Sequence, residues 1–139
     1  MSMEIDFKLM ENEVHLWRAP LTISTAIEND YLATFNSQEK VRAERFHFPL
    51  HKRRFIATRG ILRLLLSRYQ NIAPADVDFL YQPRGKPYLA DVFLQFNVSH
   101  SHEIAVIALT KNSPIGVDIE KTEKQFNDSV AERYLHPEE

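Results

Sequence analysis

The chain contains no cysteine. Disulfides, thiolate nucleophiles and cysteine zinc ligands are thereby excluded. The absence fits a reducing cytosol, although exported chains can lack cysteine too, and a cytoplasmic location is the expectation. Only three of the 139 residues are glycine. That leaves no room for a glycine-rich phosphate loop or a dinucleotide fingerprint, and neither pattern occurs. No apolar run approaches the length of a membrane span. The opening MSMEIDFKLMENEV lacks the basic and apolar regions of a signal peptide. There is no internal repeat and no low-complexity linker. The net charge is only −2, so the overall balance names no partner, and neither nucleic acid nor a membrane is expected.

What remains is a chain of about one domain, 44% hydrophobic and 26% charged, able to bury one core. Its charge is uneven. Residues 40–68 hold nine basic side chains opposed by Glu44 alone, and residues 118–139 hold seven acidic ones. A basic middle beside an acidic end points to an anionic ligand held with a metal ion, or to two solvated faces that partly neutralise each other.

Residues 13–19, EVHLWRA, alternate as a strand that Pro20 stops. Residues 24–35 and 35–46 read as helices. Asn36 or Ser37 caps the second, with Glu39 placed for a capping box. The strongest helix follows Pro49. Phe55, Leu62, Leu66 and Tyr69 recur at helical spacing, Ile61 and Leu65 widen the stripe, and Lys52, Arg59 and Arg63 lie on another face. Arg53 and Arg54 sit near its start, where a cation opposes the helix dipole unless an anion is near. From Pro74 the period changes to two. DVDFLYQ reads as a strand, PRGKP as a turn, LQFNVSH as an alternating strand and EIAVIALT as a central buried one. A third strand over residues 113–122 completes an antiparallel meander. The fold class is α+β, an antiparallel sheet packed on one long helix. Residues 125–135, QFNDSVAERYL, read as a helix with Phe126, Val130 and Tyr134 as its stripe. Pro137 with Glu138 and Glu139 signals a further helix start, so the chain looks cut short.

Several residues could carry chemistry. In a strand, Asp118 and Glu120 project from one face, with Gly116 beside them. Two carboxylates at that spacing repel, and a hard cation such as Mg²⁺ relieves the repulsion. The bland alternative pairs them with lysines such as Lys121. FNVSHSHE sets Asn97 and Ser99 on one face, followed by His100 and His102. No strained glycine elbow surrounds Ser99, so a serine nucleophile is weakly signalled. His100 and His102 could form half of a zinc site. Lys86, in a tight turn between two prolines, could meet a phosphate. His15, His47, His51 and His136 read as structural.

RGKPYL, FNVSHS and GVDIE, in this order and spacing, resemble the 4′-phosphopantetheinyl transferases of the type that activates surfactin synthetase. SQEKVRAERF and RRFIATRGILRLLLSRY resemble the N-terminal region of that family. The resemblance covers residues 36–139. It implies transfer of phosphopantetheine from coenzyme A to a serine of an apo acyl or peptidyl carrier protein, leaving 3′,5′-ADP. It implies two similar α+β halves related by a pseudo-twofold, with coenzyme A and Mg²⁺ between them. Residues 1–112 would form the first half, and residues 113–139 the first strand and helix of an incomplete second half. By motif match, Asp118 and Glu120 are metal ligands. Lys86, Ser99 and His100 contact the phosphates and nucleotide, and Arg54 binds phosphate. Lys40, Arg42 and Arg45 are candidates beside Arg54, a one-residue difference leaving the choice open. The family's third motif, Lys-Glu and a further lysine, is absent from these residues, so no catalytic set is complete. The chain is expected to be an inactive fragment that could self-associate through the orphaned interface between halves. Two other readings are a non-catalytic module binding coenzyme A or a carrier protein, and a metal hydrolase using His100, His102, Asp118 and Glu120.

Overall fold

The computed structural model describes residues 7–91, 93–113, 115–116 and, for their backbone, 130–134. In chain order the elements are β1 (Val14–Pro20), α1 (Thr25–Leu32), α2 (Ser37–Glu44), α3 (Pro49–Gln70), a single 3₁₀ turn (Pro74–Asp76), β2 (Phe79–Tyr81), β3 (Pro87–Leu89), β4 (Leu94–Ser101), β5 (Ile104–Lys111) and β6 (Val130–Tyr134). The α+β class is as expected, with a sheet of order β4-β5-β1-β6 and a small β2-β3 hairpin.

The meander is only half present. β4 and β5 pair antiparallel, with Phe96 opposite Leu109 and Val98 opposite Ile107. The other side of β5 is taken by β1, Trp17 opposite Ile107 and Leu16 opposite Ala108. A strand has two hydrogen-bonding edges, so β1 leaves none on β5 for residues 113–122. Ile115 and Gly116 accordingly lie outside any strand. Ile115 instead packs on the back of the sheet against Leu16, Val106 and Ala108. The rest of that segment, Asp118 and Glu120 included, lies outside the described residues.

The helix expected over residues 125–135 is also corrected. Val130–Tyr134 is a strand, parallel to β1 with Leu16 in register with Glu132. The far edge of β1 offers unpaired N–H and C=O groups, and a segment with valine and tyrosine at its ends can satisfy them.

The front of the sheet carries the core. Trp17 and Ala19 of β1, Ala105, Ile107 and Leu109 of β5 and Phe96 of β4 join Ile56, Ile61, Leu62, Leu65 and Leu66 of α3 in one buried cluster. The predicted α3 stripe is therefore the core-facing one. Tyr69, near its end, is bonded to β1. Its hydroxyl accepts from Trp17 Nε1 at 2.8 Å and is hydrogen-bonded to His15 Nδ1 at 2.6 Å. His15 is structural, as expected. α1 crosses α3 so closely that Tyr31 rests on Gly60. A Cβ at position 60 would sit 2.1 Å from the Tyr31 ring.

The expected polar face of α3 is not where the pattern put it. Lys52 reaches the exposed Glu44 at 2.8 Å, but Arg59 and Arg63 are buried, Arg63 to 1% exposure. Both reach Glu39. Arg63 contacts Glu39 Oε1 through Nη2 at 2.6 Å, and Arg59 Nη1 donates to Oε2 at 3.0 Å. Glu39 also closes the predicted capping box. It accepts from the Asn36 N–H at 2.9 Å while its own N–H donates to Asn36 Oδ1 at 2.9 Å. The basic run is thus answered by an acid just before it.

Two substitutions test this packing. Glu39→Ala leaves two buried guanidinium groups uncompensated and should cost about 3–5 kcal/mol in urea unfolding; a cost near that of a surface change would show the cluster to be incidental. Gly60→Ala forces the Tyr31 ring aside and should cost about 1–3 kcal/mol in the same measurement.

Candidate functional site

A concavity of about 500 Å³ opens between the N-terminal half of α3, the end of α2, the β2-β3 turn and the end of β4. Its floor is apolar, from Phe55 and Leu62 of α3 and Val98 of β4. Its polar lining is mostly basic, and Thr58 and Arg59 of α3 belong to it. His51 and Arg54, three apart on α3, share one helical face. Arg42 comes from the last turn of α2, its guanidinium 5.0 Å from the Phe55 ring centre. His100 comes from β4. The N-terminus of α3 adds to this field, because its N-cap Phe48 has no side-chain hydrogen bond to the first turn and the helix dipole is positive there.

Arg54 is held at the rim. Its Nη2 donates to Glu103 Oε1 at 2.7 Å, and Thr22 Oγ1 donates to Glu103 Oε2 at 2.9 Å. Arg54 Nε is buried without a hydrogen-bond partner. The hydrogen bonds from Arg54, then Thr22, hold the Glu103 carboxyl below its ordinary value of 4.5. This pair is the anion that the cation near the start of α3 called for.

The residues marked in the sequence are only partly brought together. Arg54 and His100 line the same concavity, and Arg42, rather than Lys40 or Arg45, joins them. Lys86 is exposed, and its neighbours Gly85 and Pro87 line the opening. The turn is closed by Gly85 N–H to Gln82 O at 2.8 Å and Gln82 N–H to Lys86 O at 2.9 Å. Gly85 takes φ of 91°, a conformation that favours glycine. Ser99 goes elsewhere. It pairs across to Val106, on the back of the sheet, whereas His100 pairs with Ala105 of the front. Strand alternation separates the two.

His51 was read as structural and lines the concavity. Its spacing from Arg54 was the available signal. Glu103 was missed, because a contact spanning 49 residues leaves no local trace. Gly116 has open space around it: a Cβ there would meet no described atom within 4 Å.

No group of three His, Asp or Glu side chains that could hold a metal occurs among the described residues. The hydrolase reading therefore gains no support from His100 and His102. The described lining suits an anion, and the hard oxygen donors that would suit magnesium are Asp118 and Glu120, outside the described residues. Among the described residues no helix is long and apolar enough to cross a membrane.

Comparison with known proteins bears on the same elements. Residues 25–112, from α1 to the end of β5, match the family described as 4′-phosphopantetheinyl transferase, N-terminal. The 4′-phosphopantetheinyl transferase HetI of Nostoc sp. is 44% identical over 136 residues, 94% of this chain and 57% of that protein. A putative 4′-phosphopantetheinyl transferase of Synechocystis sp. is 37% identical over 78% of this chain and 46% of its own length. The 4′-phosphopantetheinyl transferase Sfp of Bacillus subtilis is 33% identical over 78% of this chain and 48% of its own. The chain spans about half the length of these curated relatives.

The Arg54–Glu103 pair has a pH signature. A depressed carboxyl contributes its stabilisation above the ordinary value, and the contribution is lost as pH falls through the lower folded value. In a carbon-detected NMR titration Glu103 should show a midpoint below 4.5. Arg54→Gln should move it back up, and an unchanged midpoint would mean that the pair does not persist in solution.

Proposed function

The chain belongs to the 4′-phosphopantetheinyl transferase family, and from that premise we propose that its concavity is the phosphate-binding part of a coenzyme A site. The whole protein then transfers 4′-phosphopantetheine from coenzyme A, in the cytoplasm, to a serine of an apo acyl or peptidyl carrier protein. The observation that carries this reading is the convergence of Arg42, His51, Arg54 and His100 on one opening beside the Lys86 turn. Basic side chains from α2, α3 and β4 converge there over an apolar floor that can take the rest of a nucleotide.

The roles follow from charge. Attack of the carrier serine on the β-phosphate builds negative charge on phosphoryl oxygens and on the departing 3′,5′-ADP. Fixed cations stabilise that charge without reorganising. Arg54 and His100 would hold phosphate oxygens from the front of the sheet, Lys86 from its turn, and Ser99 from the back. Asp118 and Glu120, two hard oxygen donors, would hold magnesium, which when bound neutralises phosphoryl charge. A carboxylate base would take the serine proton. The Lys-Glu motif of the family is not among these 139 residues. By themselves they are therefore expected to bind the ligand and not to turn it over. A second half related to this one by a pseudo-twofold would supply the rest of the site.

Intact-mass spectrometry of an apo carrier protein incubated with the whole protein, coenzyme A and Mg²⁺ should show the added phosphopantetheine. An unchanged carrier mass would remove the proposal. In that protein Arg54→Ala, which deletes a charge-assisted hydrogen bond worth about 1.5–3 kcal/mol, should lower kcat/KM by roughly tenfold to a hundredfold. Asp118→Ala should abolish transfer, and wild-type turnover would end its assignment as a ligand.

A further inference from the structure

Arg54 lines the concavity but is not free to serve it. Its Nη2 is engaged by Glu103 at 2.7 Å, and its buried Nε has no partner. Glu103 is itself fixed from two further sides. Thr22 holds its second carboxylate oxygen at 2.9 Å, and the Leu21 N–H donates to its backbone carbonyl at 2.7 Å. The β4-β5 turn is tight here, with His102 at φ of 54°, so the carboxylate is placed by the hairpin and does not drift in on a loose loop. The result is a preset anion on the rim of a cationic opening, touching one cation and leaving Arg42, His51 and His100 without it.

We propose that Glu103 is a latch on Arg54: it holds the guanidinium when no ligand is bound and competes with an incoming phosphate for it. Glu103 is thus a positioning residue that acts through Arg54, and the inference rests on the reading of the concavity as an anion site. Three observations converge on it. The pair is charge-assisted and short, so it lowers the net positive charge that a ligand meets at rest. The guanidinium is incompletely satisfied in this pose, its Nε being buried and unpartnered, so exchanging the carboxylate for a phosphate with more acceptor oxygens improves its hydrogen bonding. The pair is half exposed on the carboxylate side, 50% for Glu103 against 24% for Arg54, and exposed ion pairs are weak enough to be displaced. Thr22 keeps hold of the released carboxylate, which remains ready to recapture Arg54 when the ligand leaves. The latch favours ligands carrying several negative charges, because a singly charged anion gains little by replacing a carboxylate.

Calorimetric titration of the full chain with inorganic pyrophosphate tests this, using wild type, Glu103→Gln, Arg54→Gln and the double variant. Glu103→Gln should bind pyrophosphate about two- to fivefold more tightly than wild type, the range of an exposed ion pair. That gain should shrink to less than half in the Arg54→Gln background. A gain of equal size with and without Arg54 would make Glu103 a bulk charge and overturn the latch. Unchanged or weaker binding by Glu103→Gln would also overturn it while leaving the anion site standing. Failure of every variant to bind pyrophosphate would remove the anion site, and the latch with it. The Arg54 side-chain ¹⁵N resonances give a readout that a merely structural role would not move. Glu103→Gln should shift them in the direction that saturating pyrophosphate shifts them in wild type, and an opposite or absent shift counts against the proposal.

Discussion

One carboxylate, that of Glu39, organises the helical side of this fold. It accepts from the Asn36 N–H, from Arg59 and from Arg63, and so joins the start of α2 to the middle of α3. A lone buried carboxylate facing two guanidinium groups leaves an excess positive charge, which low-dielectric surroundings would not tolerate unaided. The structure spreads that charge. Arg63 Nη1 donates to the carbonyls of Pro74 and Val77 at 2.9 and 2.8 Å, and Arg59 Nη1 donates to the Tyr81 hydroxyl at 2.8 Å. The Phe79 ring lies 4.9 Å from the Arg59 guanidinium and 5.2 Å from that of Arg63. The 3₁₀ turn and the β2-β3 hairpin are thereby tied to the same point.

This arrangement divides the basic run between the interior and the concavity. Arg63 is consumed by the interior, whereas Arg59, held by Glu39 and Tyr81, also lines the concavity and reaches the hairpin whose turn carries Lys86. Arg54, one helical turn and a fraction earlier, escapes the cluster and meets the concavity. Arg42, from the last turn of α2, lies over Phe55. The position of the Lys86 turn beside the opening therefore depends on the bond between Arg59 and Tyr81. A basic helix can look like a ligand-binding surface in sequence and yet commit two of its six cations, Arg59 and Arg63, to its own fold.

Elements set by local rules were legible in the sequence. The capping box of α2 needs only Asn36 and Glu39, three residues apart, and it forms as read. The α3 stripe and the alternation of β4 follow from periodicity, the burial of β5 on both faces from its unbroken apolar run, and all three are where the pattern puts them. Features set by distant partners were not legible. The burial of Arg59 and Arg63 depends on an acid 20 and 24 residues away, and charge counting within residues 40–68 stops one residue short of it. The sheet order depends on β1 returning to β5 across about 90 residues of chain, so the nearest strand candidate was assigned the wrong neighbour. The stripe of residues 125–135 reads as a helix, whereas the free edge of β1 makes Val130–Tyr134 a strand. Of the site, Arg54 and His100 came from motif resemblance, whereas Glu103 could come only from the fold.

The separation of Ser99 from His100 constrains what a shared ligand must look like. The two are adjacent in sequence, but β4 turns one to the back of the sheet and the other to the front. Within the four-stranded sheet β4 is an edge strand, so both faces can be reached around its end without crossing hydrogen-bonded backbone. A compact anion seated between Arg54 and His100 could not touch Ser99. A ligand that uses all three must be elongated and must bend around the end of β4 toward the face where Ile115 packs. A phosphate-bearing ligand with groups at several points along its length meets this requirement, and a single phosphate or a small phosphoester does not.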